Sequence, residues 1–239
     1  MKVPSGEIFN ENDIELLKLM AKYGFVSWSE KPFKLKSGIM SHVYVFGRED
    51  LTDHPELLVA VGRKISERVH KMMKAANDKR QPCLIGIPIA GIPLATAAAL
   101  FDAINSKNPS QSICYRIMRQ KLKAHGAHHN WIDGRPDFEK HRYIGIDNVI
   151  TDGGSKIEAA ENFENDGYPA KDLDQIIFID REQGGPQLLV EKGFKKPEII
   201  FKLLDITFVY KELGLWSPES IKKVEDEIAA HQFGQNDHR

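Results

Sequence analysis

The residues best placed to do chemistry lie in RYIGIDNVITDGGSKIEAAENF, positions 142–163. A branched apolar run carries an acid, Asp147, near its end. Thr151, Asp152, Gly153, Gly154 and Ser155 follow, and then a helical pattern begins. Parallel sheets take their ligands beyond the carboxyl ends of the strands. A Gly-Gly turn at a helix start exposes several backbone N–H groups, and a phosphate there gains hydrogen bonds and the favourable end of the helix dipole. The glycines are adjacent and the Lys-Ser/Thr order is absent, which excludes both a dinucleotide fingerprint and a Walker loop. Asp147 could accept hydrogen bonds from vicinal sugar hydroxyls, so a ribose 5-phosphate satisfies both features. A simple turn with Asp147 capping a loop accounts for the same residues.

Four other segments hold residues of interest. RIMRQKLKAHGAHHN, 116–130, packs Arg119, Lys121, Lys123 and His125 into seven positions, as a cationic flap or a solvated basic loop would. FKLKSGIMSHVYVFGR, 33–48, offers Lys36 and Tyr44, which a plain hairpin would leave solvated. FIDREQGG, 178–185, places Arg181 at a strand end, and LIGIPIAGIPLATAAAL, 84–100, places Ala90 and Gly91 before an alanine-rich helix. His128 and His129 beside His125 are set aside as a metal site, because no cysteine or carboxylate accompanies them at ligand spacing.

Taken together, these segments resemble the type I phosphoribosyltransferases, and within them the orotate phosphoribosyltransferases. Residues 142–163 resemble the phosphoribosyl pyrophosphate motif, with Asn148 in place of its second acid and Asp152 where the phosphate loop usually has a small or neutral residue. Residues 119–126 resemble the Arg-x-x-x-Lys-x-His-Gly catalytic loop at Arg119, Lys123, His125 and Gly126, with Gln120 where a lysine often follows the arginine and Lys121 at a position usually acidic. Residues 33–48 resemble the Leu-Lys-Ser-Gly orotate segment followed by Ser-Pro-x-Tyr, with His42 at the proline position and Phe46 where several relatives are polar. The resemblance implies roles for these residues. Asp147 would steady the ribose, and Thr151 to Ser155, with Asn148 beside them, would hold the 5-phosphate end. Arg119, Lys123 and His125 would serve the pyrophosphate over the backbone N–H groups of Ala90 and Gly91, with Lys121 among the substrate-binding residues. Lys36, Tyr44 and Arg181 would serve the orotate, with Arg181 gripping its carboxylate in bidentate fashion. It also implies Mg²⁺ held through the donor and water rather than directly by protein, and a homodimer sharing the catalytic loop across its interface.

The elements that must carry these residues are legible from pattern. A capped amphipathic helix starts at Asn12-Asp13 and ends at Gly24, and two short strands follow around a Ser-Gly turn. A second helix opens near Thr52 or Asp53 with Pro55 in its first turn. Apolar runs at 83–89, 112–117, 142–147, 175–180 and 198–204, with helices at 91–104 and 155–166, predict an α/β fold: a mostly parallel central sheet flanked by helices. The stretch 119–140 is long for a loop, hence functional or disordered, 218–230 has a helical pattern, and the tail from Gln232 looks frayed. We therefore expect an N-terminal helix and hood over 1–50, a phosphoribosyltransferase core over 51–215 and a C-terminal helical extension over 216–239.

Bulk properties limit the alternatives. The 239 residues are 41% hydrophobic and 28% charged, ordinary globular usage that excludes disorder. A net charge of −1 gives no long-range pull toward nucleic acid or an anionic membrane, so neither is expected as a partner. Cys83 and Cys114 sit in apolar runs, no apolar leader opens the chain, and no run of 18 apolar residues occurs, so a cytoplasmic protein without a disulfide framework is expected. Competing readings are a transferase for another base, a non-catalytic donor-binding regulator, and a flavodoxin-like domain with no donor site.

Overall fold

The computed structural model describes residues 1–35, 37–45, 49–106, 108, 111–122 and 130–231. In chain order the elements are α1 (Glu11–Lys22), β1 (Val26–Lys34), β2 (Met40–Val45), α2 (Glu49–Asp53), α3 (Pro55–Ala75), β3 (Gln81–Gly86), α4 (Gly91–Asn105) and β4 (Cys114–Ile117). They continue as β5 (His141–Ile150), α5 (Gly154–Asn165), β6 (Asp174–Asp180), α6 (Gly185–Glu191), β7 (Glu198–Lys202), α7 (Leu203–Glu212) and α8 (Pro218–Ala230). β3 to β7 form a parallel sheet in the order β4-β3-β5-β6-β7, and β1 with β2 forms a separate antiparallel pair.

Alternation along the strands divides the core into two layers. Leu84, Ile144, Ile146 and Phe178 face one cluster with α1, α3, α4, α7 and α8, while Cys83, Ile85, Tyr143 and Ile177 face the other with α5 and α6. Strands buried on both faces explain the near-continuous apolar runs. The first cluster takes residues from Val3 to Ile228, so the N-terminal helix and the C-terminal helix both pack on the sheet domain. α3 ties its layer together by lying along α4 with Leu57, Val61, Ile65 and Val69 inward.

The strand order reverses at β3. The chain leaves β3 for β4 on one side and returns to β5 on the other. α4 and α5 then depart to opposite faces, which opens a crevice at the carboxyl ends of β3 and β5.

Several boundaries differ from expectation. The first helix is capped by Asn10, whose side chain accepts from the Asp13 backbone while Asp13 accepts from the Asn10 N–H, so the capping box starts two residues before Asn12. The expected second helix is two, because Pro55 at a first-turn position starts α3 afresh after α2. The run 198–204 is a strand only to Lys202, and Leu203 begins α7. Within 119–140 the described part is anchored by a bridge between Met118 and Ile132.

Candidate active site

The crevice holds a cavity of about 560 Å³, within the range of small-molecule sites. Its floor is the β3–α4 turn, its back the end of β5, and its side wall the start of α5.

The β5–α5 turn depends on one conformation. Gly153 caps α5 at φ +84, a left-handed geometry that glycine adopts without penalty. The first-turn N–H groups of a helix have no intrahelical acceptor, yet the Gly154 N–H is not free here, since it donates to Asp152 Oδ1 at 3.0 Å. The expected cradle is therefore altered at Gly154, because an internal carboxylate occupies one of its donors. Thr151, Asp152, Gly153, Gly154 and Ser155 all line the cavity.

Asp147 and Asn148 line it as well, with Asp147 only 7% exposed. Asp147 Oδ1 accepts the Asn148 N–H at 2.8 Å, and Asp147 Oδ2 pairs with Lys156 Nζ at 2.5 Å. Lys156 is itself buried, donating also to Val149 O and to Ser155 Oγ. Sequence reasoning passed over Lys156. A cation in the first turn of a helix opposes the dipole, and that mismatch was the available signal of a buried carboxylate nearby.

The floor differs from expectation at Gly91. Its N–H, assigned to the pyrophosphate, donates to Ile87 O at 2.9 Å. A Cβ on Gly91 would lie 2.1 Å from Ile146 O, so glycine is required by the packing of α4 against β5. Ala90, next to it, lines the cavity. The turn also contains a cis peptide between Pro88 and Ile89.

Arg119 and Gln120 line the opposite wall. Arg119 Nε donates to Asn130 O at 3.2 Å and Nη2 pairs with Asp133, which holds the arginine against the far arm of the 119–133 segment. Lys121 is exposed and does not line the cavity. Lys36, Lys123 and His125 lie outside the described residues, as do Phe46, Gly126, His128, His129 and the tail from Gln232.

At the base end, Ser37 lines the cavity with its Oγ buried and without a partner among the described residues. Tyr44 lies off the cavity and packs its ring 5.0 Å from Phe33. Arg181 is not the open fork the sequence suggested. It is 2% exposed and does not line the cavity. Nη1 donates to Val43 O at 2.9 Å, and Nη2 donates to Ser41 Oγ at 2.6 Å and to Glu227 Oε1 at 3.2 Å. These contacts leave no bidentate edge for an incoming carboxylate while Glu227 stays in place. Burial pushes the guanidinium below its ordinary range, opposed by the Glu227 charge. Next to it, burial pushes Asp180 and Glu182 above theirs. Glu227 comes from α8, an element for which the sequence offered no role.

Asp147, Asn148, Asp152 and Glu158 are among the side-chain oxygen donors that line the cavity, and among the described residues no three His, Cys, Asp or Glu side chains cluster as a metal cage.

Comparison with known proteins agrees with the fold and extends beyond it. No family model matches the chain. It is 27% identical over 200 residues to the orotate phosphoribosyltransferase of Nostoc sp., covering 84% of this chain and 87% of that protein. It is 31% identical over 214 residues to the orotate phosphoribosyltransferase of Sordaria macrospora, covering 84% of this chain and 88% of that protein. The solved Leishmania donovani UMP synthase superposes with a TM-score of 0.69 at 21% identity over 91% of this chain, although the chain spans only 42% of that one. The superposition bears on the fold alone, which is that of a type I phosphoribosyltransferase. With that fold, and with 31% identity over 88% of the Sordaria macrospora protein, the chain belongs to the orotate phosphoribosyltransferase family of pentosyltransferases.

Proposed function

We propose that this protein converts orotate and phosphoribosyl pyrophosphate to orotidine 5′-monophosphate and pyrophosphate. The observation that carries the reading is the single cleft lined by Asp147, by the Gly153–Gly154 helix start and by Arg119 over the Ala90 turn. A sugar with phosphate at one end and pyrophosphate at the other needs those three surfaces at once.

In this reading an orotate nitrogen forms a bond to the ribose anomeric carbon as the bond from that carbon to the pyrophosphate oxygen breaks. No protein nucleophile takes part. The α5 start holds the 5-phosphate. Asp147 accepts from the ribose hydroxyls, with Lys156 keeping its carboxylate oriented. Arg119 meets the charge that grows on the departing pyrophosphate and so acts more strongly in the transition state than in the ground state. Lys123 and His125 share that work, and Lys36 serves the base. Mg²⁺ would neutralise pyrophosphate charge when bound, held by the donor and water rather than directly by the protein. The proposal includes a homodimer that shares the loop around Arg119, and a cytoplasmic setting. Orotate as the base is supported by the similarity to the orotate phosphoribosyltransferases of Nostoc sp. and Sordaria macrospora over most of the chain.

The test is a steady-state assay with phosphoribosyl pyrophosphate, Mg²⁺ and, in parallel, orotate, uracil, hypoxanthine or adenine. Turnover restricted to orotate is expected. Donor binding without turnover of any base would overturn the reading in favour of a regulator.

A further inference from the structure

The two cysteines of the chain take no part in the roles assigned so far, and the sheet sets them side by side. Cys83 on β3 and Cys114 on β4 are register partners in parallel strands. Paired strands lie about 4.8 Å apart, inside the span of roughly 4.4–6.8 Å between Cα atoms that a disulfide bridges. Both side chains face the same layer. Cys83 belongs to the core cluster with Ile85 and Tyr143, and Cys114 packs against that cluster. The two sulfurs are reduced and in contact: the Cys83 S–H donates to Cys114 Sγ, and Cys114 in turn donates to Pro82 O at 3.6 Å.

The pair is asymmetric, and the asymmetry divides the labour. β4 is a four-residue edge strand, so Cys114 is only half-buried, whereas Cys83, one strand further in, is 1% exposed. Two positions along the same face of β4, Arg116 lies over the Tyr143 ring at 4.9 Å. The Cys83 S–H, with the Arg116 charge behind it, holds the Cys114 thiol below its ordinary range against the opposing effect of burial. Contact with Cys114, together with burial, holds Cys83 above its own. The more accessible sulfur is thus the one that becomes a thiolate, the nucleophilic form. The buried one keeps its proton beside it.

We propose that Cys83 and Cys114 form a dithiol oxidation site that a hydroperoxide closes to a disulfide and a thiol reductant reopens. In the first step the Cys114 sulfur attacks the peroxide. An S–O bond forms, the O–O bond breaks, and the departing oxygen takes up the thiol proton, leaving a sulfenic acid on Cys114 and an alcohol or water. In the second step the Cys83 sulfur attacks that of Cys114. An S–S bond forms, the S–O bond breaks, and the hydroxyl leaves as water with the Cys83 proton. The dithiol is oxidised and the peroxide is reduced. Cys83 needs no opening to solvent for its step, because its partner is already in contact. The closed bond joins the strand that leads to the Ala90 turn to the strand that leads to Arg119, and the inference is independent of the orotate reading.

The experiment uses the full chain, reduced, freed of reductant and treated with a small excess of hydrogen peroxide. Intact mass and thiol titration in denaturant are the readouts. The unsubstituted protein is expected to lose both thiols together, to drop in mass by two hydrogens without linking to a second chain, and to recover both thiols with dithiothreitol. In Cys83→Ser the sulfenic acid on Cys114 is expected to persist and to be captured by dimedone, whereas Cys114→Ser retains its Cys83 thiol at the same dose. Should either variant fail to fold, a proteolytic digest of the oxidised, unsubstituted protein decides, since it must contain a peptide pair joined through Cys83 and Cys114. Thiols that stay intact, as two inert core side chains would, overturn the inference. So does oxidation of Cys114 to a sulfinic acid, or its linkage to another chain, while Cys83 remains free.

Discussion

The two ends of the cleft are built on opposite plans. The donor end is one stretch of chain, from Asp147 to Lys156, in which strand, turn and helix start follow each other and the ion pair between Asp147 and Lys156 closes within ten residues. The base end is assembled from afar. Arg181 reaches Val43 and Ser41 across 138 and 140 positions, and Glu227 across 46. A contiguous site can be held by local geometry, whereas a dispersed one depends on the packing of every element that brings it together. Damage at the base end should therefore appear first as lost stability, and damage at the donor end first as lost binding.

The largest expected effect is at Arg181. Arg181→Ala leaves Glu227 buried without its cation and should cost about 3–5 kcal/mol in the urea unfolding free energy. Asp147→Asn tests the other end. It should lower kcat/KM for phosphoribosyl pyrophosphate about 10- to 100-fold, the loss of one charged acceptor, while costing less stability than Arg181→Ala. A larger stability loss in Asp147→Asn than in Arg181→Ala would show that the donor end too is held mainly by its buried charge pair with Lys156.

A smaller gain is expected at Asp152. Its carboxylate accepts the Gly154 N–H at the phosphate wall and adds a negative charge there. Asp152→Asn keeps an acceptor and removes the charge, so the KM for phosphoribosyl pyrophosphate should fall about two- to fivefold. Smallest of all is a pH effect at the base end. Asp180 and Glu182 are raised by burial, so the folded protein holds their protons more tightly than the unfolded chain does. Their contribution then falls as pH rises from about 4, where the unfolded acids ionise, through the raised folded values. The part due to Asp180 should vanish in Asp180→Asn, checked by comparing urea midpoints of the two proteins across that range.

The same contrast explains what could be read without a structure. The parallel sheet, its helices and the Gly153–Gly154 turn carry local patterns, and Asp147, Asn148 and Thr151 to Ser155, grouped by the sequence, line one cavity. Glycine type alone could not separate two uses of the residue. Gly153 is needed for its φ, whereas Gly91 is needed because α4 crosses β5 at backbone distance, and its N–H turns inward to Ile87. Arg181 had a recognisable strand-end setting, but nothing in the periodicity announces that Glu227, an acid beside the apolar stripe of α8, would fold onto it. Long-range pairing of a buried charge has no local signature. Its one trace was an acid at the edge of a face that is otherwise Ile221, Val224 and Ile228.

The carbonyl of Ile146 has a mechanical consequence. It accepts the Ile87 N–H at 2.9 Å and meets the bare Cα side of Gly91, so the strand bearing Asp147 and the turn bearing Ala90 are riveted at one oxygen. The floor and back of the cleft are thus coupled, and the strand bearing Asp147 cannot slide without carrying the Ala90 turn with it.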